Sequence, residues 1–367
     1  MRIKTKDIVA KLPVYQPGLS AEDVKREYGI DKVVKLASNE NPYGCSIQVK
    51  QALEEEISKL SLYPDGASLK LKQAVAEQLQ VSSDQLIFGA GSDDVILMIC
   101  RAFLTANDES IAADQTFPQY KHNADIEGAR TIEVPLKEGK HDLEGMLAAI
   151  TERTKVVWIC SPNNPTGTIV TNDELISFME QVPSHVLVAV DEAYCEYVTD
   201  VSYSNSLELI SKYPNLVALR TFSKIYGLAS LRLGYGIGQP EVIRSINQVR
   251  EPFNTSRFAQ AAGIAAIQDQ EYVSQCKQWN EEGLRYLQEQ CERLELRTMP
   301  AHGNFIMIEV PTLGKVMFEQ LVSKGIIVRA GFRHYPNAIR VTVGSREQNE
   351  AFIQAIEQIL SECKVDL

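Results

Sequence analysis

A series of short apolar runs, at residues 85–88, 110–113, 131–134, 156–160, 186–190 and 216–219, constrains this 367-residue chain more than any other feature. Most pass almost without polar interruption. Such runs are too short for typical helices and too uniformly apolar for strands with one wet face, so they read as strands covered on both sides. Between them lie segments with helical patterning, at 69–79, 95–104, 142–150 and 172–181, and TFPQY (116–120) opens another. Strand–helix alternation of this kind predicts an α/β fold: a mostly parallel sheet sandwiched by helices. The conspicuous polar clusters follow the ends of these runs: GAGSDD (89–94), TFPQY, SPNNPTG (161–167), DEAY (191–194) and TFSK (221–224). The carboxyl ends of the strands are where open α/β sheets bind ligands.

The character changes near residue 255. Residues 271–294 and 346–362 read as long amphipathic helices, and 305–310, 326–328 and 339–343 as strands. The expected organisation is a large domain over 41–254, a smaller α+β domain over 255–367, and an arm over 1–40 that joins the smaller one. The net charge of −11 gives no case for a nucleic-acid or membrane-surface partner. Seven scattered cysteines without a CxxC pair read as reduced thiols in a cytosolic protein. No run reaches the ~18 apolar residues a membrane span needs, and the N-terminus has no apolar core of the signal-peptide kind.

The stretch LRTFSKIYGLASLRLGYG (219–236) carries the sharpest chemistry. A lysine at a strand end among small and apolar residues loses its proton more easily than a surface lysine, because burial penalises the ammonium form. A neutral amine attacks aldehydes and forms Schiff bases. Arg232, Thr221 and Ser223 are groups that a phosphate ester wants nearby. Aldehyde plus phosphate suggests pyridoxal phosphate. Asp191, at the end of VLVAV, could stay ionised against a cationic ring nitrogen, with Tyr194 within reach of a phenolate oxygen. Asn163 and Asn164 can donate from the rigid SPNNPTG loop. Gly89 to Asp93 precede a helix whose N–H groups could cradle phosphate, Phe117 could stack on a ring, and Arg340 could grip an anion with its fork.

With PVYQPG (13–18), SNENPYG (38–44), LYPDG (62–66), HGNFIMIE (302–309) and IRVTVG (339–344), these motifs span nearly the whole chain. In that order it resembles the fold-type I, aspartate-aminotransferase-like enzymes that use pyridoxal phosphate, and within them the histidinol-phosphate aminotransferases. The resemblance implies transamination of histidinol phosphate with 2-oxoglutarate, in histidine biosynthesis. It implies that Lys224 binds the cofactor aldehyde, Asp191 pairs with the ring nitrogen, and Asn163 and Tyr194 hold the ring oxygen. Phe117 would stack on the ring; Ser92, Asp93, Thr221, Ser223 and Arg232 would surround its phosphate. Tyr63 would reach the partner subunit's cofactor in a homodimer with shared sites, and Tyr15, Arg329 and Arg340 would bind the substrate's own phosphate. Aromatic aminotransferases and threonine-phosphate decarboxylases share much of this pattern. The sequence departs from it at Gln115, where proline is common, at Thr221, where serine is frequent, and at Ser230, where glycine is usual.

Overall fold

The computed structural model describes residues 3–12, 14 and 18–365. In chain order the strands are β1 (Val34–Lys35), β2 (Leu86–Gly89), β3 (Glu109–Ala113), β4 (Arg130–Val134), β5 (Thr154–Cys160), β6 (Leu187–Asp191), β7 (Leu216–Thr221) and β8 (Gly234–Gly238). They are followed by β9 (Phe305–Glu309), β10 (Ile326–Ile327), β11 (Arg329–Ala330) and β12 (Ala338–Thr342). Seven of them form one sheet in the order β2-β8-β7-β6-β5-β3-β4. All its pairings are parallel except those of β8, which runs against both neighbours.

The central strands show why the apolar runs are continuous. Val157, Ile159, Val188, Val190, Leu216 and Ala218 point into one core. Their immediate neighbours Val156, Trp158, Leu187, Ala189, Val217 and Leu219 point into a second core on the other face. Successive side chains alternate across a strand, so a sheet covered on both faces needs apolar residues at every position.

β8 was not foreseen from the sequence, because its alternating glycines leave no continuous apolar run. They are there for clearance. A side chain at Gly234 would run into the backbone of Gly91 and Ser92, where helix Ser92–Phe103 starts. One at Gly236 would press on Ile87 and Val95. The glycines let that helix settle close against the sheet.

A smaller three-stranded antiparallel sheet, β11-β12-β9, has its own core, built with helices Gly314–Ser323 and Arg346–Val365. Val34 and Leu36 of the arm join this core, and β1 pairs with β10. The arm also holds an unforeseen helix, Ala21–Tyr28, opened by a capping box between Ser20 and Asp23. The expected boundary at 254/255 does not follow the packing. Helix Arg257–Gln268 lies against helices Ile47–Glu56 and Leu69–Leu79, with Ala259, Ala262 and Ala266 in the large core. The next helix, Gln270–Arg293, is shared: Val273 and Cys276 pack in the large core, Leu284 and Leu287 in the small one. Among the described residues no helix is long and apolar enough to cross a membrane.

Gly227 and Gly29 both have left-handed backbones, at φ 70° and 66°. A methyl group at Gly227 would strike the Gly44 carbonyl, whereas at Gly29 it meets open space. Gly29→Ala is expected to cost only the left-handed penalty of about 1–2 kcal/mol. Gly227→Ala is expected to cost clearly more, as read from denaturation midpoints; equal losses would refute the close approach.

Candidate active site

A cavity of about 930 Å³ opens at the carboxyl ends of the large sheet, bounded on the far side by the arm and the small sheet. Each wall traces to a strand end. β6 ends in Asp191 and continues to Tyr194; β7 ends in Thr221 and leads through Ser223 to Lys224. The turn after β2 supplies Ser92 and Asp93, and the segment after β3 supplies Gln115 and Phe117. From the small sheet come Arg329 and Arg340, directly opposite one another in the β11–β12 pair.

Lys224 has lost much of its water. Burial, reinforced by the Arg340 guanidinium, lowers its ammonium to about 8, while Asp93 and Glu40 pull the other way. Its Nζ donates to the Ser38 carbonyl at 3.3 Å and lies 5.6 Å from the centre of the Tyr194 ring. Asp191 is 3% exposed. Burial pushes its carboxyl up to about 6, against a 2.6 Å hydrogen bond from the Tyr120 hydroxyl and another from the Ala193 N–H. It stays a carboxylate at neutral pH because those two donors oppose its desolvation.

Arg232 occupies the opposite corner. Its backbone is left-handed, with φ 53°. Its guanidinium reaches the Ser223 hydroxyl at 3.2 Å, the Ala229 carbonyl at 3.0 Å and the Asp93 carboxylate at 3.1 Å. It lies where a side chain on Gly91 would have to be. No side chain caps helix Ser92–Phe103, so its first N–H groups face the same corner. Together these make an anion cradle: a helix N-terminus, a guanidinium and a hydroxyl. Thr221 lines the cavity but spends its hydroxyl on bracing the turn, donating to the Leu233 carbonyl and accepting the Ser223 N–H.

A second anion position lies across the cavity. Arg340 is 8% exposed, and burial lowers it to about 10. It donates to the Asn164 side-chain oxygen and, at 2.6 Å, to the Ala37 carbonyl. Its Nε has no partner. Its Nη1 and Nη2 each carry a second N–H, so the guanidinium, which lines the cavity, keeps donors for an anion.

The expectation for Asn163 needs correction. Its side chain is fully buried in the loop, accepting from Thr116 at 2.7 Å and donating to Thr166 at 2.8 Å. The next residue, Asn164, lines the cavity and meets the Tyr194 hydroxyl at 3.4 Å. Two adjacent asparagines on one turn cannot be told apart by composition; only the turn's direction decides. Tyr63 lies outside the cavity, 77% exposed and stacked on Phe253 at 4.6 Å. Tyr15 lies outside the described residues. Phe117 stands at the cavity wall, edge-on to Tyr120.

Two residues escaped the sequence reading. Tyr120 stacks on Trp158 at 4.9 Å and holds Asp191. Asn39 holds the Tyr194 hydroxyl at 3.0 Å. Both sit inside quoted motifs, TFPQY and SNENPYG, but nothing in their spacing marks them; their partners are 71 and 155 residues away.

A desolvated lysine and a braced aspartate at the carboxyl ends of a parallel sheet, with an anion corner on either side, are the working parts of a class I and II aminotransferase, and residues 31–356 match that family. The chain is 53% identical to the histidinol-phosphate aminotransferase of Geobacillus sp. (strain WCH70), over 99% of both chains. It is 51% identical to that of Bacillus subtilis (strain 168), over 98% of this chain and 100% of the other. The crystal structure of histidinol-phosphate aminotransferase from Sinorhizobium meliloti in complex with pyridoxal-5'-phosphate superposes with a TM-score of 0.92, at 25% identity over 99% of both chains. The chain belongs to the family of histidinol-phosphate aminotransferases.

Tyr120→Phe is expected to cost roughly 1.5–3 kcal/mol of stability above pH 7, where Asp191 is ionised and loses a hydrogen bond to its charge. Losing that donor raises the folded carboxyl further above its unfolded value, so the deficit should fade as the pH falls through the folded pKa and Asp191 takes up a proton. Urea denaturation at pH 8 and pH 5 measures both; a deficit independent of pH would mean the hydroxyl does not serve the carboxylate.

Proposed function

We propose that this chain transfers an amino group between L-histidinol phosphate and 2-oxoglutarate, giving imidazole acetol phosphate and L-glutamate, with pyridoxal phosphate as cofactor. The observation that carries this reading is one cavity holding a desolvated lysine, a buried carboxylate and two separated anion positions. One anion position suits the cofactor's phosphate and the other a substrate's phosphate or carboxylate. When bound, pyridoxal phosphate supplies an aldehyde that captures amines and a ring that draws electrons from the substrate carbon.

The residues fit that group. Arg232, Ser223 and the N–H groups of Ser92 and Asp93 hold the phosphate, with Asp93 fixing Arg232. Asp191 would pair with the ring nitrogen and keep it protonated. Tyr194 and Asn164, which line the cavity where Asn163 does not, would hold the ring oxygen, and Phe117 would cover the ring. Lys224 would anchor the cofactor between turnovers. Its amine, when free, would serve as the base and acid of the 1,3-proton shift, taking the proton from the substrate carbon and returning it on the far side of the nitrogen. Its lowered pKa leaves an appreciable neutral fraction near pH 8. Arg340, joined by Arg329 and Tyr15, anchors the substrate's anionic end; its fork fits phosphate and carboxylate alike.

We infer further that two copies work together in the cytosol. Leu60, Leu62, Tyr63 and Leu69 are each at least 60% exposed and crowd one stretch of surface, an apolar patch a second copy would cover. Tyr63, exposed on that stretch, would serve the partner's site.

Borohydride treatment of the loaded enzyme, followed by peptide mapping, is expected to find the cofactor fixed at Lys224 and nowhere in Lys224→Ala; fixation at another residue would sink the assignment. Arg340→Ala is expected to lower kcat/KM at least about thirty-fold, about 2 kcal/mol, with histidinol phosphate and with 2-oxoglutarate alike. A loss confined to one substrate would rule out a shared anchor.

A further inference from the structure

Three consecutive residues of the arm reach the polar side chains on which the site depends. The Ala37 carbonyl accepts from Arg340, the Ser38 carbonyl accepts from Lys224, and the Asn39 side chain donates to the Tyr194 hydroxyl. Asn39 is unusual among them. It is 1% exposed and has a left-handed backbone at φ 54°, a conformation that asparagine tolerates better than most residues and that its surroundings here insist on.

What insists is a set of four contacts. The Asn39 N–H donates to the Thr342 hydroxyl at 3.0 Å. The Thr342 hydroxyl donates to Asn39 Oδ1 at 3.0 Å. Asn39 Nδ2 donates to the Tyr194 oxygen at 3.0 Å. Asn304 donates to the Asn39 carbonyl at 3.0 Å. A threonine hydroxyl has one proton. Thr342 accepts the Asn39 N–H and gives that proton to Asn39 Oδ1. This sets which end of the amide faces which neighbour: oxygen to Thr342, nitrogen to Tyr194. Turning the amide over would strand the Thr342 proton in a buried place.

The consequence falls on Tyr194. Its oxygen receives an N–H from Asn39 and a longer one, at 3.4 Å, from Asn164. Both neighbours are donors, so neither can take the phenol's own proton. Among the described residues that proton has no acceptor, and the cavity is where it can point.

We propose that Asn39 is a positioning residue that, locked by Thr342, aims the Tyr194 proton into the cavity, at the ring oxygen of the cofactor. The inference rests on the cofactor reading above. Asn39 acts through Tyr194, and Thr342 acts through Asn39. The chain of contacts runs from β12, which carries Arg340, to the end of β6, which carries Asp191. The substrate's anion anchor and the ring's hydrogen-bond donor are thereby set by one linkage.

The test is the pH midpoint of the visible band of bound pyridoxal phosphate, measured on the full-length loaded enzyme. A proton offered to the ring oxygen favours its ionised form, so withdrawing the offer moves the midpoint up. Asn39→Gly keeps the left-handed backbone and removes the amide; the midpoint is expected to rise by about half to one pH unit. In a Tyr194→Phe background the same substitution is expected to add nothing, because there is no proton left to aim. A rise of equal size in that background, or no rise in the single variant, overturns the proposal. Should Asn39→Gly fail to fold, Thr342→Val carries the test: its midpoint is expected to rise and that of Thr342→Ser to stay with the wild type. Valine matching the wild type overturns the proposal too. Borohydride fixation at Lys224 is scored in the same preparations, so a failure of the cofactor reading is distinguishable from a failure of the aiming role.

Discussion

A carboxylate at the inner end of an apolar sheet is unstable unless something replaces the water it gave up, and much of the large sheet's interior is organised around that requirement. Asp191 ends β6, flanked by β5 and β7 in the centre of the sheet, where solvent is least available. Its replacement for water is a phenol and a backbone amide. The phenol must itself be held, and Tyr120 lies flat on Trp158, a residue of β5. The core residue and the functional residue are therefore one construction. Trp158 is buried like any core side chain, yet the plane it presents sets the direction of a hydrogen bond at the site. The same economy appears on the amine side, where the Lys224 amine has one carbonyl and a ring face in place of water and its pKa is lowered by burial, with Arg340 adding to the effect.

The parts of this protein that the sequence discloses are those whose physics is local. Strands covered on both faces must be apolar throughout, so 156–160, 186–190 and 216–219 stand out in the bare sequence. Residues placed at or just past strand ends, such as Asp191 and Lys224, inherit that legibility, because the strand's end fixes where they start. The parts that stay hidden depend on partners distant in the chain. Tyr120 meets Asp191 and Asn39 meets Tyr194 across long stretches of chain, and an ordinary tyrosine or asparagine shows no sign of it. The choice between Asn163 and Asn164 fails for a different reason: both have the right chemistry, and only the path of a proline-rich turn decides which faces outward.

Glycine misleads in a third way. β8 escapes notice because its glycines alternate with apolar residues, and glycine inside a strand usually weakens it. In the folded chain those glycines are what a strand needs when a helix terminus comes down on top of it. Likewise the alanines of Arg257–Gln268 look like generic helix filler, but their small size lets that helix lie close against two others and moves it into the large core. In both places the residue was chosen for the distance it permits rather than for the conformation it prefers, and distance is a property of the assembled molecule.

The long helix Gln270–Arg293 has one end embedded in each core. It works as a single spar, so the smaller sheet cannot tip toward the larger without bending the spar or levering out one embedded end. Gly283 sits between the two anchored stretches, and its bare Cα lets the end of β12 lie against the helix at Val343. That glycine is the weakest link of the spar, and it adjoins the strand carrying Arg340. The position of the Arg340 guanidinium relative to the large sheet is therefore tied to the straightness of that one helix.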